Sequence, residues 1–290
     1  MSSLTGDGNA QADLSTLEER YELVREIGRG ATALVYLARD RATGTLVAIK
    51  AMRGEFAQDP EVAGRFEREA RTAAALDHPN IARIFAVARL EGRALAIVMQ
   101  YVPGGTLREA LRDRGALPFE ETERVLRDVA AALAYAHESG VVHRDVKPEN
   151  IFLEEGTGRA LLADFGIARS LDSDHSLTMA GSAIGTPTYM SPEQIDGHTV
   201  DGRSDLYSLG LVGWEMLAGE RPWQGESLYN VIYKQKHQRL PRLDELRPGI
   251  PAPLLYAIEG ALLKRREDRW AGAAEFLTRL SEENPGPRPA

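Results

Sequence analysis

The feature of this 290-residue sequence that most constrains its fold is a single change of texture near residue 102. Up to that point, short apolar runs alternate with turn residues such as Gly44 and Gly92, a pattern that predicts an antiparallel sheet. The five predicted strands are residues 21–27, 34–39, 46–52, 81–89 and 94–100. A stretch with apolar residues at helical spacing, residues 60–76, predicts one helix within this half.

The second half is predicted to be mainly helical. Its helical segments are residues 106–114, 118–139, 204–218, 227–237, 253–264 and 273–281. A sheet-rich half followed by a helix-rich half is typical of an α+β architecture with two lobes. We expect lobes at residues 21–101 and 102–281 with a ligand cleft at their junction, a flexible leader at 1–20 and a Pro-rich tail at 282–290.

Composition narrows the class of protein. The chain has 35 basic and 43 acidic residues, a net charge of −8, which disfavours nucleic acid as the main partner. It has no cysteine, which excludes a disulfide framework, a thiol nucleophile and a cysteine zinc site. No apolar run approaches the roughly 20 residues of a membrane helix, and the start lacks signal-peptide features. We expect a cytoplasmic protein with no nucleic-acid partner and no membrane segment in this chain.

A glycine-rich turn lies at residues 27–35, IGRGATALV, which matches the pattern GxGxxGxV with Ala33 at the third glycine position. Gly28 and Gly30 would let backbone amides approach phosphate oxygens, because no Cβ stands in the way. A dinucleotide-binding fold would require a helix directly after the glycines. An apolar, β-branched run follows instead, so we predict strand, loop and strand, with a plain hairpin turn as the alternative.

Lys50 closes an apolar strand, so its ammonium group is expected to be partly buried and to need a carboxylate. Glu69 lies beside the inward stripe of the predicted helix, which Phe66, Ala70 and Ala73 mark. We therefore predict an ion pair between Lys50 and Glu69. The alternative is a lysine in solvent with Glu69 in an ordinary surface pair.

Two strings of the second half carry groups suited to phosphoryl transfer, HRDVKPEN at residues 143–150 and DFG at 164–166. Asp145 can accept a hydroxyl proton, and Lys147 can neutralise a phosphoryl group. Asn150 and Asp164 can offer the oxygen ligands that Mg²⁺ prefers. Together with Lys50 they supply the positioning and charge neutralisation that phosphoryl transfer needs. The alternative is a polar loop with one satisfied histidine.

These strings, with GTPTYMSPE at residues 185–193 and SDLYSLG at 204–210, resemble those of Hanks-type protein kinases, especially bacterial Ser/Thr kinases of the PknB-like type. The resemblance runs from about residue 21 to 280. It implies a bilobal protein-kinase fold with a five-stranded antiparallel N-lobe, one helix in that lobe, and a mainly helical C-lobe. It also implies transfer of the γ-phosphoryl group of Mg-ATP, with Mn²⁺ as a possible substitute, to Ser/Thr hydroxyls of protein substrates.

Two rival functions stay open. A pseudokinase scaffold would bind nucleotide without turnover, and its signature would be loss of Lys50, Asp145, Asn150 or Asp164, none of which is missing. A phosphotransferase acting on a small molecule would lack the full peptide-cradling segment at residues 185–193, which this chain carries.

The resemblance assigns roles residue by residue. Asp145 is the catalytic base, Lys147 steadies the γ-phosphate, Asn150 and Asp164 hold Mg²⁺, and Lys50 contacts phosphates while paired with Glu69. The residues implied to contact ATP, with Met99 as gatekeeper, are Ile27, Gly28, Gly30, Val35, Ala48, Lys50, Met99, Gln100, Val102 and Phe152.

Further roles implied by the resemblance concern the substrate and regulation. Thr186, like Lys147, marks Ser/Thr specificity, and Asp205 holds the catalytic loop by its backbone. Glu193 and Arg269 form a buried pair. Autophosphorylation, through a possible homodimer, is expected on the segment 172–182, where Thr178 is the first candidate and Ser182 the second. Arg144 and Arg169 would pair with that phosphate; the alternative is a polar loop that never carries one.

Overall fold

The computed structural model describes residue 17 and residues 19–30, 33–52, 60–89, 95–165 and 187–282. These residues form two compact units. The first contains the described residues up to Asp77 together with Ala82–Tyr101. The second contains His78–Ile81 and the described residues from Val102 onward.

The first unit is built on an antiparallel sheet. Its strands are β1 (Tyr21–Arg29), β2 (Ala33–Asp40), β3 (Leu46–Met52), β4 (Ile84–Arg89) and β5 (Leu95–Gln100). They lie in the order β1-β2-β3-β5-β4, and every neighbouring pair is antiparallel. The five predicted strands are therefore present. The fourth begins three positions later than expected, at Ile84. Ile81 belongs to the second unit, where it forms a β-bridge with Leu162.

Helix α1 (Pro60–Ala74) covers one face of this sheet. Phe66 and Ala70 belong to the same buried cluster as Ile49, Ala51 and Ile97 of the central strands. All five side chains are at most 2% exposed, and burying each large apolar side chain stabilises the fold by about 1.5–3 kcal/mol. The inward stripe predicted from the sequence is the face that packs.

The second unit is mainly helical. Its helices are α2 (Leu107–Arg114), α3 (Phe119–Glu138), α4 (Pro192–Ile195), α5 (Gly202–Ala218), α6 (Leu228–His237), α7 (Leu243–Leu246), α8 (Ala252–Ala261) and α9 (Ala273–Ser281). The six predicted helical segments are present with ends shifted by up to three residues, and α4 and α7 are additional short turns. Within the described ranges, no helix combines the length and apolar character needed to cross a membrane.

Helix α5 forms the centre of the second unit. Its residues from Ser204 to Leu217 are all buried, as expected of a helix enclosed by others, and most of them are apolar. Gly213 permits close packing, because a Cβ there would lie about 3 Å from the side chain of Ile258 on α8. The stripe of α3 predicted from the sequence, which includes Val125 and Leu133, is fully buried.

A small antiparallel hairpin, β6 (Ile151–Leu153) and β7 (Ala160–Leu162), completes the second unit. It is anchored to α3 by Asp128, whose carboxylate accepts a hydrogen bond of 2.8 Å from the amide of Ala160. Ile151 pairs with Leu162, so the residue that enters β6 and the residue that leaves β7 lie at the same end of the hairpin. This register brings the HRDVKPEN string and the DFG string together.

Candidate active site

The two loops at this end of the hairpin are joined by the backbone. The amide of Ala163 donates a 2.9 Å hydrogen bond to the carbonyl oxygen of Asn150. Asp164 is the next residue and adopts a left-handed backbone with φ of 63°. Such a conformation costs a non-glycine residue of order 1–3 kcal/mol and is concentrated at functional sites. Asn150 and Asp164, the two predicted oxygen ligands, thus start from adjoining backbone positions.

Two predicted residues, Lys147 and Asn150, converge on one carboxylate oxygen of Asp145. The Nζ atom of Lys147 lies 2.7 Å from Oδ2 of Asp145, and Nδ2 of Asn150 lies 3.0 Å from the same oxygen. Asn150 also donates a 2.8 Å hydrogen bond to the carbonyl oxygen of Asp145. The Asp145 side chain is 33% exposed, so it is reachable from solution while held by two donors.

His143 ties the two loops to each other. Its ring is buried, with Nε2 2.9 Å from the carbonyl oxygen of Ala163. Its Nδ1 accepts a 3.2 Å hydrogen bond from the amide of Asp145. Because Nδ1 is the acceptor, the neutral ring carries its proton on Nε2 and donates it to Ala163. The ring also packs against Phe165, with centroids 4.5 Å apart, so the histidine is structural.

Asp205 of α5 holds the loop that carries Asp145. Its carboxylate accepts hydrogen bonds from the amides of His143 at 2.8 Å and Arg144 at 2.7 Å. The side chain is 1% exposed and also contacts Nε2 of His137 at 2.8 Å. Arg144 has a left-handed φ of 67°, so these bonds stabilise a strained backbone directly before Asp145. The position agrees with the role that the resemblance implied.

Glu193 and Arg269 form a buried pair. Two parallel contacts of 2.7 and 2.8 Å join the guanidinium to the carboxylate. Burial by itself raises the pKa of Glu193, but the hydrogen bonds and charge of Arg269, with a hydroxyl bond from Ser204, outweigh it and lower the pKa to about 2. Glu193 is the last residue of the GTPTYMSPE string and belongs to α4, so the pair fixes the end of that string.

In the first unit, Lys50 lies on β3 opposite Val35 of β2 and Ile97 of β5. Its side chain is half-buried, as predicted for a lysine that closes an apolar strand. Glu69 is also half-buried and lies on α1 beside the packed stripe. Both residues therefore have the burial that the predicted ion pair requires, and the pairing itself stays a prediction.

The glycine-rich turn connects two strands. β1 ends at Arg29 and β2 begins at Ala33, whose carbonyl oxygen accepts a 2.9 Å hydrogen bond from the amide of Gly30. Strand follows loop, as predicted, and residues 31–32 lie outside the described residues. Neither Gly28 nor Gly30 has a positive φ, and an added Cβ would meet neighbours only at 3.5 Å or more. Among the residues that the structure describes, nothing prevents a side chain at either position.

The remaining residues implied to contact ATP are divided between the two units. Ile27, Val35, Ala48, Met99 and Gln100 belong to the sheet of the first unit. The amide of Gln100 donates to the carbonyl oxygen of Arg83 at 2.8 Å, and the Gln100 side-chain oxygen accepts from the amide of Arg83 at 3.3 Å.

Val102 and Phe152 belong to the second unit, where Val102 is buried and Phe152, on β6, is half-buried.

Four of the predicted regulatory and substrate residues lie outside the described residues: Arg169, Thr178, Ser182 and Thr186. Arg144, the remaining regulatory candidate, is described, and its side chain is exposed next to Asp145.

One cluster of charged side chains, around Arg108, was not predicted from the sequence. Arg108 of α2 contacts Glu149 of the HRDVKPEN string at 2.8 Å and Glu215 of α5 at 2.5 Å, and it also donates to the hydroxyl of Tyr189. His137, which contacts Asp205, was not predicted either. No local sequence pattern distinguishes either residue from an ordinary surface side chain, because their partners are distant along the chain.

Comparison with known proteins identifies the family. Residues 21–290 match the family described as "Protein kinase domain". Serine/threonine-protein kinase PknB of Mycobacterium leprae is 39% identical over 276 residues, and PknB of Mycobacterium tuberculosis is 40% identical over 279 residues. These alignments cover 94% and 95% of this chain but 44% of each relative. The chain therefore spans less than half the length of these curated relatives.

Solved structures of protein kinases support the same family and its fold. The kinase domain of Mycobacterium tuberculosis PknI superposes with a TM-score of 0.72 at 33% identity, covering 91% of this chain and 96% of that domain. The predicted α+β kinase fold is thereby confirmed. The chain belongs to the protein kinase family, among its bacterial serine/threonine members.

Proposed function

We propose that this chain is an ATP-dependent serine/threonine protein kinase that transfers the γ-phosphoryl group of Mg-ATP to Ser/Thr hydroxyls of protein substrates. The observation that carries the proposal is the convergence of Lys147 and Asn150 on Asp145, beside the loop of Asp164. A fixed carboxylate, a cation and two further oxygen groups are what phosphoryl transfer requires of a protein.

Asp145 orients the acceptor hydroxyl and takes its proton. Lys147 and Asn150 both bind Oδ2, so we assign the other oxygen, Oδ1, to the hydroxyl. General base catalysis contributes about a hundredfold to ten-thousandfold to a rate. Lys147 is 28% exposed and lies 2.7 Å from Asp145, which supports its proposed role of neutralising the transferring group.

Asn150 and Asp164 fit a divalent cation by their donor atoms. The side-chain nitrogen of Asn150 is used toward Asp145, which leaves its oxygen to face a cation beside the Asp164 carboxylate. Mg²⁺ is bound through one or two protein oxygens together with substrate phosphates, and Mn²⁺ accepts the same ligands. When bound, the cation neutralises the charge of the phosphates.

The glycine turn supports a phosphate-binding role. Since neither the backbone angles nor the neighbours of Gly28 and Gly30 exclude a side chain, the close approach of a ligand explains the glycines better than the fold does. Lys50, paired with Glu69, would contact the phosphates. The other ATP contacts implied by the resemblance stay part of this proposal.

We extend the proposal to regulation and location. The exposed side chain of Arg144 can pair with a phosphate on Thr178 or Ser182, and Arg169 would assist. Autophosphorylation through a transient homodimer would thereby order the segment 172–182. The need for ATP and the absence of cysteine favour the cytoplasm.

The pseudokinase alternative gains no support, because Lys50, Asp145, Asn150 and Asp164 are all present and the relatives are named as kinases.

The test is incorporation of label from γ-labelled ATP by the native chain and by Asp145→Asn, followed by mapping of phosphosites. We expect at least a hundredfold loss in Asp145→Asn and phosphate within residues 172–186 of the native chain. Asp244→Asn, which changes a 36% exposed carboxylate of α7 that pairs with Arg242, is the matched control and should retain full activity. A native chain that binds nucleotide but incorporates no more label than Asp145→Asn would identify a pseudokinase.

A further inference from the structure

Arg108 is a single guanidinium shared by three acidic or phenolic groups from three different elements. Its Nε lies 2.8 Å from Glu149, and its Nη1 lies 2.5 Å from Glu215. Its Nη2 donates to the hydroxyl of Tyr189, which in turn donates to Glu215. The Arg108 side chain is 16% exposed and that of Glu215 is 3% exposed, so the cluster is largely withdrawn from water.

The guanidinium charge of this cluster is permanent. Burial works to lower the pKa of Arg108, but its hydrogen bonds to Glu215 and Glu149 and the nearby Tyr189 outweigh burial and raise it. Burial and the Glu215 charge raise the pKa of the Tyr189 hydroxyl, which therefore stays protonated. The guanidinium thus remains charged and the Tyr189 hydroxyl remains protonated throughout the physiological pH range. Without the arginine, Glu149 and Glu215 would lose the one cation that both of them contact among the described residues.

The cluster adjoins the groups assigned to the reaction. Glu149 directly precedes Asn150 and lies on the loop that carries Asp145. Tyr189 belongs to the turn Pro187–Tyr189, which follows the peptide-cradling Thr186 along the chain. The segment after this turn is bonded to the same loop, because Nε2 of Gln194 donates to the carbonyl oxygen of Arg144 at 2.9 Å. A substrate chain whose hydroxyl reaches Asp145 would pass close to these residues.

Glu149 connects the cluster to solvent. Its side chain is 40% exposed, and a second cation, Arg221, lies 3.9 Å from its Oε1 atom. Its other oxygen, Oε2, is buried and has no hydrogen-bond donor among the residues that the structure describes. The carboxylate therefore keeps an unused acceptor on a side chain that a ligand can approach.

We propose that Arg108 is a specificity-determining residue: it occupies a cation site formed by Glu149, Glu215 and Tyr189 and so prevents a basic substrate side chain from binding there. The proposal rests on the proposed kinase function. The native kinase is then indifferent to arginine at the substrate position that passes this site. Removing the guanidinium converts the same groups into a pocket that selects arginine, since two carboxylates, one of them buried, favour a bidentate cation.

A purely structural role makes a different prediction. If Arg108 only attaches α2 to α5, its loss lowers stability and leaves substrate preference unchanged. Both roles predict some destabilisation, because a buried charge loses its partner. Only the specificity role predicts a gain of preference, and that gain is the diagnostic readout.

The experiment compares kcat/KM on threonine peptides that differ by one arginine placed at successive positions on either side of the acceptor. We expect the native kinase to vary by no more than about twofold. Arg108→Ala should gain about tenfold for arginine at one position, the effect of about one charge-assisted hydrogen bond. The gain should vanish in the double variant Arg108→Ala with Glu149→Gln. Arg112→Ala removes an exposed arginine of the same helix, one paired with Asp113, and should match the native kinase.

A second measurement does not depend on catalysis. Methylguanidinium at millimolar concentration should raise the melting temperature of Arg108→Ala and leave that of the native chain unchanged, because only the variant has an empty cation site. Arg108→Leu, which retains packing volume, serves in the same assays if the alanine variant does not fold.

The two proposals fail differently. If no peptide is phosphorylated by the native chain while methylguanidinium still stabilises the variant, the kinase function fails and the cation site stands. If the native kinase is active but the Arg108 variants gain no arginine preference and no stabilisation, the specificity proposal is overturned. A native kinase that already selects arginine strongly at one position would also overturn it.

Discussion

Arg269 and Glu193 are joined by two parallel hydrogen bonds in a setting where the arginine side chain is fully buried and that of the glutamate is 9% exposed. The guanidinium also donates to the carbonyl oxygens of Leu263, Lys264 and Arg203. One side chain therefore joins α4, the start of α5 and the segment after α8. A buried pair contributes little net stability, but removing one partner is expensive.

Arg269→Ala should destabilise the chain by about 3–5 kcal/mol, because it leaves a buried carboxylate and several carbonyl groups without their donor. Chemical denaturation measures this loss. Arg265→Ala is the control. The Arg265 side chain is 76% exposed, and its ion pair with Asp268 is long, at 3.8 Å, so its removal should change stability by less than about 1 kcal/mol. Equal losses in both variants would contradict the prediction.

The same pair predicts sensitivity to acid. The pKa of Glu193 is lowered to about 2 from an ordinary value of 4.5, so its stabilising contribution is complete above 4.5 and is lost as pH falls toward 2. Stability of the native chain should decline over this window, and the decline should be shallower in the double variant Arg269→Met with Glu193→Gln. Identical acid profiles would show that the pair does not contribute.

Asp205→Asn should impair catalysis rather than binding. The carboxylate uses one oxygen for the amide of Arg144 and the other for His143 and His137, whereas an asparagine would turn an NH₂ group toward one of these donors. The loop before Asp145 would relax from its strained backbone. We expect kcat to fall by about ten- to a hundredfold with little change in KM for ATP, since about 1–3 kcal/mol of positioning is at stake.

Asp201→Asn provides the matched comparison on the same helix. Asp201 caps α5 by accepting a 2.9 Å hydrogen bond from the amide of Arg203, and its other carboxylate oxygen lies 3.5 Å from Arg266, away from the loop of Asp145 along the chain. Asparagine is an equally good cap, so kcat should be unchanged. A kcat for Asp205→Asn that equals the native value would refute the positioning role.

Gly260→Ala should destabilise the second unit although alanine favours helices. A Cβ at Gly260 on α8 would overlap the indole ring of Trp270, which is held by a 2.9 Å hydrogen bond to the carbonyl oxygen of Ala257. Forcing an extra carbon into a packed core costs about 1–3 kcal/mol. Gly272→Ala is the control, because no heavy atom lies within 4 Å of its added Cβ. Unfolding curves that coincide for the two variants would be inconsistent with this packing.

Elements with a long, regular pattern were predictable from the sequence. Residues 118–139 were expected to be helical and form Phe119–Glu138, because four positions of one stripe had to be buried together. Short elements were harder to predict from the sequence. Helix α4, Pro192–Ile195, has only one turn, yet its capping box between Ser191 and Gln194 is a local signal that could have revealed it.

The catalytic loop was predictable because its groups are close along the chain. Asp145, Lys147 and Asn150 lie within six residues, so a tight turn is enough to bring them together. The Arg108 cluster was not, since its partners Glu149 and Glu215 are 41 and 107 positions away and meet it only after the helices pack. Local spacing carries no information about such contacts.

Lys264 gives the chain a stability that should rise with pH. Its Nζ atom donates to the hydroxyl of Tyr207 at 2.8 Å and to the carbonyl oxygen of Gln235 at 2.7 Å. Burial, with the nearby charges of Arg269 and Arg239, lowers the pKa of Lys264 from 10.5 to about 7. Between these values the unfolded chain binds a proton that the folded chain does not. The free energy of unfolding should therefore increase over this window, by up to about 1.4 kcal/mol per pH unit.

Urea denaturation of the native chain between pH 7 and 9 measures this slope, and Lys264→Met should flatten it because the titrating group is gone. Lys236→Met is the matched control: Lys236 is 30% exposed and lies 2.6 Å from Asp196, so its removal should leave the slope intact. Carboxylates with a lowered pKa do not contribute to this slope, because they are fully ionised above pH 7 in both states. A slope that persists in Lys264→Met would mean that Lys264 stays protonated in the folded chain.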